Sequence, residues 1–340
     1  MANSDSDRHG APLPIGTEMV FGCVRAVVFH DEATGIASIV GSGFFVKLFG
    51  DIFFITARHV IKSEYGFRLE DAAIQYQKAR NDQVPFCKFR TFSSRDEDDT
   101  DHADIIIYRV DPHLVNLSSF GAEKPFDIVA KMFVTEYRER MEFYFYGLST
   151  SVGDYDYEKG IYEIKFSGGD VTYLRSEPGL QSVHVGLAEV NEQCPDFDGL
   201  SGSPLFSIDE PENESSPARF AGMLLRGTLS SKVFYFMDAA SIYQKLLVFF
   251  VGGLSEAEAH AKLTSLMCQF YTEVRYGFSA QPYVVVRFVV DRILGVRLRH
   301  DARARVGAEL PSLNSPILAA FPLDAWTIDS LIPGDAIAIT

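Results

Sequence analysis

The chain has 340 residues, 47% hydrophobic and 23% charged, which is the composition of a folded globular protein with room for two or three cores. Its formal net charge of -15 argues against a nucleic-acid partner, because phosphate binding is driven by Lys and Arg that neutralise the backbone. The same charge repels an anionic membrane surface at long range, so no membrane partner is expected either.

Residues 1–16 are polar, with Pro and Gly, and read as a flexible arm. They lack a basic start followed by an apolar run, so no secretory signal is expected. From residue 17 the pattern changes to short apolar, β-rich runs broken by turn residues. Strands are expected at 20–29, 36–48, 52–56, 73–77, 105–110, 126–133, 142–147, 162–166, 183–187, 220–225 and 233–237. Phe49-Gly50-Asp51 lies between two of these runs and signals a hairpin. So many short strands imply a sandwich or barrels.

A helix is expected over 239–250, stopped near Gly252-Gly253. A second helix is expected over 255–271, where Ser255 and Glu258 form a capping box. Beyond it, β-like runs at 283–290, 294–298 and 316–321 form a separate C-terminal piece. The apolar stretches are too short to span a bilayer. Cys23, Cys87, Cys194 and Cys268 lack CxxC or metal-ligand spacing and read as reduced thiols, which suits a cytoplasmic protein. No metal and no cofactor are expected. The acidic run Arg95–Asp101 reads as a solvated loop, and His184, on a β-like run, as structural.

Three local settings carry chemistry. Gly199-Leu200-Ser201-Gly202-Ser203-Pro204 has the form G-x-S-G-x-P. Its small residues permit a tight turn in which the Gly199 and Ser201 N–H groups converge on an oxyanion and Ser201 Oγ faces outward. His59 follows the apolar run Ile52–Thr56, which puts an imidazole at a strand end. Asp104 stands at the mouth of the apolar run Ile105–Val110, where a buried carboxylate needs a partner such as a His Nδ1–H. Asp101 competes for that role, but only Asp104 is followed directly by the strand. An alcohol, a base and a carboxylate are the parts that acyl transfer through serine requires.

Together, and in the order His, Asp, Ser, these segments resemble the trypsin/chymotrypsin superfamily. Thr56-Ala57-Arg58-His59-Val60 is similar to its T-A-x-H motif, and Gly199–Pro204 to its G-D-S-G-G-P loop. The run from Asp104 to Val110 is similar to its D-I-A-L-L-K-L strand. Gly222–Gly227 resembles the strand whose backbone pairs with substrate, residues 233–237 the next strand, which walls the specificity pocket, and 239–250 the closing helix.

The resemblance implies two six-stranded antiparallel β-barrels over 17–250, followed by a smaller α+β module over 251–340. It implies a serine endopeptidase with His59, Asp104 and Ser201 as catalytic triad and Gly199 and Ser201 as oxyanion donors. Leu225, Arg226 and Gly227 would bind a protein or peptide substrate. The alternative is a catalytically silent or partner-gated scaffold of the same shape that binds protein.

The departures from the family point to an intracellular or HtrA-like member. No cysteine stands near His59, and Leu200 replaces the acid that receives a new N-terminus in secreted zymogens, so Ile15-Gly16 is discounted as an activation site. The pocket base falls near Pro195 without an evident acidic anchor; Asp196 and Asp198 read as solvated loop residues or specificity residues. Arg226 stands where the family usually has an aromatic, and either favours acidic side chains or points to solvent. Arg292–Leu298 and Leu331–Ile339 resemble segments of a PDZ domain from about residue 282, a surface for an activator or for oligomerisation. An unrelated α+β module is the other reading of that piece.

Overall fold

The computed structural model describes residues 22–30, 37–61, 73–77, 80–83, 86–91, 100–111, 125–128, 134, 137–149, 154–156, 161–163, 166–180, 182–188, 197–207, 218–228, 230–255, 258 and 261–262. The N-terminal arm, Pro195, Asp196, most of the helix expected at 255–271 and the PDZ-like segments lie outside the described residues.

The first half is a sheet. Strands β1 (Val24–His30), β2 (Ala37–Leu48) and β3 (Asp51–Thr56) are followed by a helical turn, α1 (Arg58–Ile61). Then come β4 (Ala73–Gln77), β5 (Arg80–Gln83), β6 (Phe86–Thr91), a second helical turn, α2 (Thr100–Ala103), β7 (Ile106–Val110) and β8 (Phe126–Asp127). The β2–β3 hairpin forms at the expected turn, with Leu48 opposite Asp51 and both loop residues at positive φ, Phe49 at 52° and Gly50 at 93°. A left-handed phenylalanine is unfavourable by about 1–2 kcal/mol. Here its ring stacks on Phe250 at 5.4 Å, which offsets that strain.

The sheet path runs β5-β4-β1-β2-β3-β7-β6, with β8 parallel to β2. Its two ends are separated in sequence by residues 84 and 85 alone. Seven strands abreast span about 29 Å at ~4.8 Å per step. The step from Gln83 to Phe86 covers at most about 11 Å. The sheet must therefore curl until its edges approach. It differs from the expected six antiparallel strands in having eight, one of them parallel, and no β5–β6 ladder is seen among the described residues.

The second half is a closed barrel. Its strands are β9 (Glu142–Leu148), then, beyond the hairpin β10 (Asp154–Asp156) and β11 (Ile161–Glu163), β12 (Phe166–Ser176), β13 (Val183–Ala188), β14 (Pro204–Ser207), β15 (Arg219–Thr228) and β16 (Val233–Asp238). They close antiparallel in the order β12-β13-β16-β15-β14-β9. Phe145, Leu205, Leu224, Phe234 and Phe236 fill its interior. A larger apolar cluster crosses between the halves, where Phe126 meets Phe206 at 5.4 Å and Phe44 meets Phe220 at 5.5 Å.

Helix α3 (Ala239–Gly252) follows the barrel, as expected. Asp238 caps it, its Oδ1 accepting from the Ser241 N–H at 2.6 Å. Ile242, Tyr243, Leu246, Leu247 and Phe250 form its buried stripe, at the spacing of one helical face. Phe249 and Phe250 return to the first sheet at Phe53. The Ser255 capping box is present in its reverse half: Glu258 Oε2 accepts from the Ser255 N–H at 3.1 Å and from its hydroxyl at 2.6 Å. The Cys23 thiol is completely buried, which pushes its pKa up to about 12. Among the described residues no helix is long and apolar enough to cross a membrane.

Candidate active site

β3 is a buried apolar strand, and the chain leaves it through Thr56 and Ala57 into the turn α1, which carries His59 at the surface. Turn α2 delivers Asp104 just before β7, the strand paired with β3. The antiparallel β3–β7 ladder therefore sets the two side chains beside each other. Asp104 Oδ2 lies 2.6 Å from His59 Nδ1, and Asp104 Oδ1 accepts the His59 backbone N–H at 2.9 Å. One carboxylate thus holds both the ring and the backbone of the histidine. The Nδ1 proton is directed to the acid, which leaves Nε2 as the acceptor. The histidine side chain is 48% exposed and the aspartate 16%, so the imidazole faces solvent while its partner is set back.

Ser201 sits on the turn between residues 197 and 204. Gly199 and Gly202 have φ of 86° and 89°, conformations open to glycine and strained for other residues. Leu200, between them, is buried in the barrel interior. Gly147 makes room for it: a Cβ there would meet Leu200 Cδ2 at 3.1 Å and run into Ser203 Oγ. Apolar burial of Leu200 therefore anchors the turn. Among the described residues the N–H groups of Gly199 and Ser201 donate to no other group, while those of Leu200, Gly202 and Ser203 are all engaged.

Ser42 ties the two settings together, and reading the sequence missed it. Its N–H donates to the Ser201 carbonyl at 2.9 Å. Its hydroxyl donates to the Gly199 carbonyl at 2.7 Å and accepts from the Leu148 N–H at 2.8 Å. Its own carbonyl accepts from Thr56 Oγ1 at 2.6 Å, three residues before His59. A Cβ at Gly202 would run into the Ser42 carbonyl and approach Thr56 Oγ1 at 2.6 Å. The histidine segment and the serine turn are thus fastened to the same residue. The only sequence signal was a serine between two glycines.

Asp101 is not the solvated loop residue expected. It is buried, and its carboxylate takes the Arg226 guanidinium: Nη2 to Oδ2 at 2.7 Å and Nε to both oxygens at 3.2 Å. The guanidinium also lies 4.1 Å from the Tyr235 ring centroid. Arg226 is therefore neither a free cation nor simply pointed at solvent. Leu225 is buried and Gly227 half-buried beside it, while Asp198 is exposed. His184 is buried in the barrel wall, stacked on Tyr137 at 4.2 Å, with Nε2 4.0 Å from Asp238 Oδ2. Burial lowers its pKa and raises that of Asp238. Among the described residues no group of His, Cys, Asp and Glu could hold a metal ion.

No family model and no curated protein matches this chain. Among solved structures, a mutant of human heparin binding protein is similar at a TM-score of 0.43 and 12% identity, over 66% of this chain and 90% of that one. A structure reported with work on the Sesbania mosaic virus VPg protein is similar at a TM-score of 0.36 and 15% identity, over 64% and 85%.

Proposed function

We propose that the chain is a serine endopeptidase in which Ser201 is the nucleophile, His59 the general base and Asp104 the residue that orients it. The observation that carries this reading is the double grip of Asp104 on His59 Nδ1 and on the His59 backbone amide. A carboxylate that fixes the tautomer leaves Nε2 free to take a proton, the requirement for activating a nearby alcohol. Ser42 supports the pairing of base and nucleophile, because it bonds to the serine turn and to the segment that carries His59.

In this mechanism His59 Nε2 removes the Ser201 proton as Oγ bonds to the scissile carbonyl carbon. The carbonyl oxygen becomes an oxyanion and accepts from the Gly199 and Ser201 N–H groups, each donor of this kind contributing about 10²–10³ in rate. His59 then donates its proton to the leaving amine, and the acyl-enzyme remains. Water, deprotonated by the same nitrogen, releases the acid and regenerates Ser201. Asp104 stabilises the imidazolium in both steps.

The curled first sheet and the closed second barrel support a two-barrel protease over 17–250, with the cleft between them; residues 251–340 would form a further module. The test is hydrolysis of a diverse peptide library by the full chain and by Ser201→Ala and His59→Ala. Cleavage by the parent chain alone supports the reading. Equal cleavage by all three, or by none, refutes it.

A further inference from the structure

We propose that Phe197 and Phe234, packed against Gly227, occupy the space where the side chain preceding the scissile bond would lie, so that cleavage follows glycine, alanine or serine and larger side chains are rejected. The inference rests on Ser201 being the nucleophile, and deepens that reading by naming the substrate class.

The position follows from where the reacting carbon must sit. A carbonyl bonded to Ser201 Oγ, with its oxygen on the Gly199 and Ser201 amides, holds the next α-carbon beside the turn at 197–200. β15 is stitched to this turn: the Gly202 N–H donates to the Leu224 carbonyl at 2.8 Å and the Leu224 N–H to the Ser203 carbonyl at 2.8 Å. Leu225, Arg226 and Gly227 then continue along the same side. The side chain on that α-carbon must enter between the turn and this strand.

The turn brings one aromatic ring to that space, Phe197, and β16, paired with β15, brings the other, Phe234. Gly227 pairs with Phe234 across β15–β16. A Cβ on Gly227 would lie 2.6 Å from Phe234 Cδ1 and 3.2 Å from Phe197 Cδ2, so the two rings already press on its α-carbon. Their centroids are 4.1 Å apart. Phe197 is 8% exposed and Phe234 1%, and Phe145 backs the latter at 5.4 Å. The Phe197 carbonyl accepts the Leu200 N–H at 3.2 Å, so its backbone belongs to the turn that presents the oxyanion amides. Arg226 leaves β15 on the opposite face, toward Tyr235 and Asp101, so it does not reach this space.

Such a wedge tolerates a hydrogen or a methyl group. A longer side chain would have to displace rings packed at core density, and each misfit methylene in an apolar pocket costs about 10- to 200-fold in kcat/KM. Lysine or arginine would also place its charge against the aromatic carbon of Phe197 and Phe234.

The experiment uses peptidyl diphenyl phosphonates that differ only in the residue next to phosphorus, with a small alkyl fluorophosphonate as reference. In each, Ser201 Oγ bonds to phosphorus, phenoxide or fluoride leaves, and the serine proton passes to His59. The full wild-type chain should be labelled at Ser201 by the reference, and by the alanine phosphonate at least about 100-fold faster than by the leucine, phenylalanine or lysine ones. Phe197→Ala should raise the leucine rate relative to the alanine rate by about tenfold. Reference labelling with equal phosphonate rates overturns the wedge and leaves the serine nucleophile standing. So does a folded Phe197→Ala chain with an unchanged leucine-to-alanine ratio. Failure of every probe at Ser201 overturns the nucleophile, and the wedge with it.

Discussion

Asp101 and Arg226 bind each other between the two halves of the chain, one from the turn α2 and the other from barrel strand β15, through three hydrogen bonds of 2.7–3.2 Å. The Asp101 carbonyl also accepts the Asp104 N–H at 3.2 Å, so the ion pair and the proposed catalytic acid share one turn. The arginine side chain is 54% exposed and the aspartate 10%, which makes the pair asymmetric. Removing the arginine strands a buried carboxylate, whereas removing both charges does not. Arg226→Ala should cost about 1–3 kcal/mol in stability, between the exposed-pair and buried-pair ranges. It should lower kcat more than it raises KM. The double variant Asp101→Asn/Arg226→Ala should recover most of the stability, as read by thermal melting.

Ser42→Ala should be costly for its size. It leaves the Gly199 carbonyl and the Leu148 N–H without the hydroxyl that serves both, a penalty of about 1–3 kcal/mol per buried group. Since Gly199 carries a proposed oxyanion donor, turnover should fall beyond what the stability loss explains. Comparing kcat of the folded fraction with that of the parent chain checks this. Ser42→Thr keeps the hydroxyl and should retain more of both.

The proposed triad members should differ in severity. Ser201→Ala and His59→Ala should each lower turnover on the order of a millionfold, and Asp104→Asn about ten-thousandfold. Ser201→Ala should melt close to the parent chain, because no hydrogen bond of its hydroxyl is present among the described residues. Peptide hydrolysis paired with melting curves separates loss of chemistry from loss of fold.

His184 should give the fold an acid sensitivity. Its folded pKa lies below 6.5, with burial the main cause, while the nearby Asp238 pulls the other way. In the unfolded chain the ring protonates below about 6.5, whereas in the folded chain it protonates only at lower pH. The unfolded state therefore binds more protons, and stability falls as pH drops from about 6.5 through the folded pKa. Asp238 has the opposite sign. Its burial-raised pKa gives stability that is present below its unfolded value near 3.8 and lost as pH rises through the folded value. His184→Phe, which keeps a ring against Tyr137, should flatten the decline between pH 7 and 5. Melting temperatures of both chains across that interval test it.

Much of the site was legible because its residues terminate strongly patterned strands. Ile52–Thr56 and Ile105–Val110 are apolar runs whose ends place His59 and Asp104, and the β3–β7 pairing then brings the two together. The capping box at Ser255 was equally local. Long-range partners were hidden. Asp101 sits in a run of acids that looks solvated, and its arginine is 125 positions away. Ser42 acts on Leu148 and Gly199, 106 and 157 positions away, which no spacing rule reveals.

Some strands carried misleading local signals. β12 contains Gly168-Gly169, which reads as a break, yet a Cβ at Gly168 would run into the Tyr144 ring packed over it. β5, Arg80-Asn81-Asp82-Gln83, has no apolar residue and is a strand only because β4 pairs with it.

The most direct test of the central claim is fluorophosphonate labelling of the intact chain, with the adduct mapped by peptide mass spectrometry. A single adduct on Ser201, lost in His59→Ala and in heat-unfolded protein, is the result expected of a serine activated by a fixed imidazole. An adduct on another residue, or none on the folded chain, would contradict it.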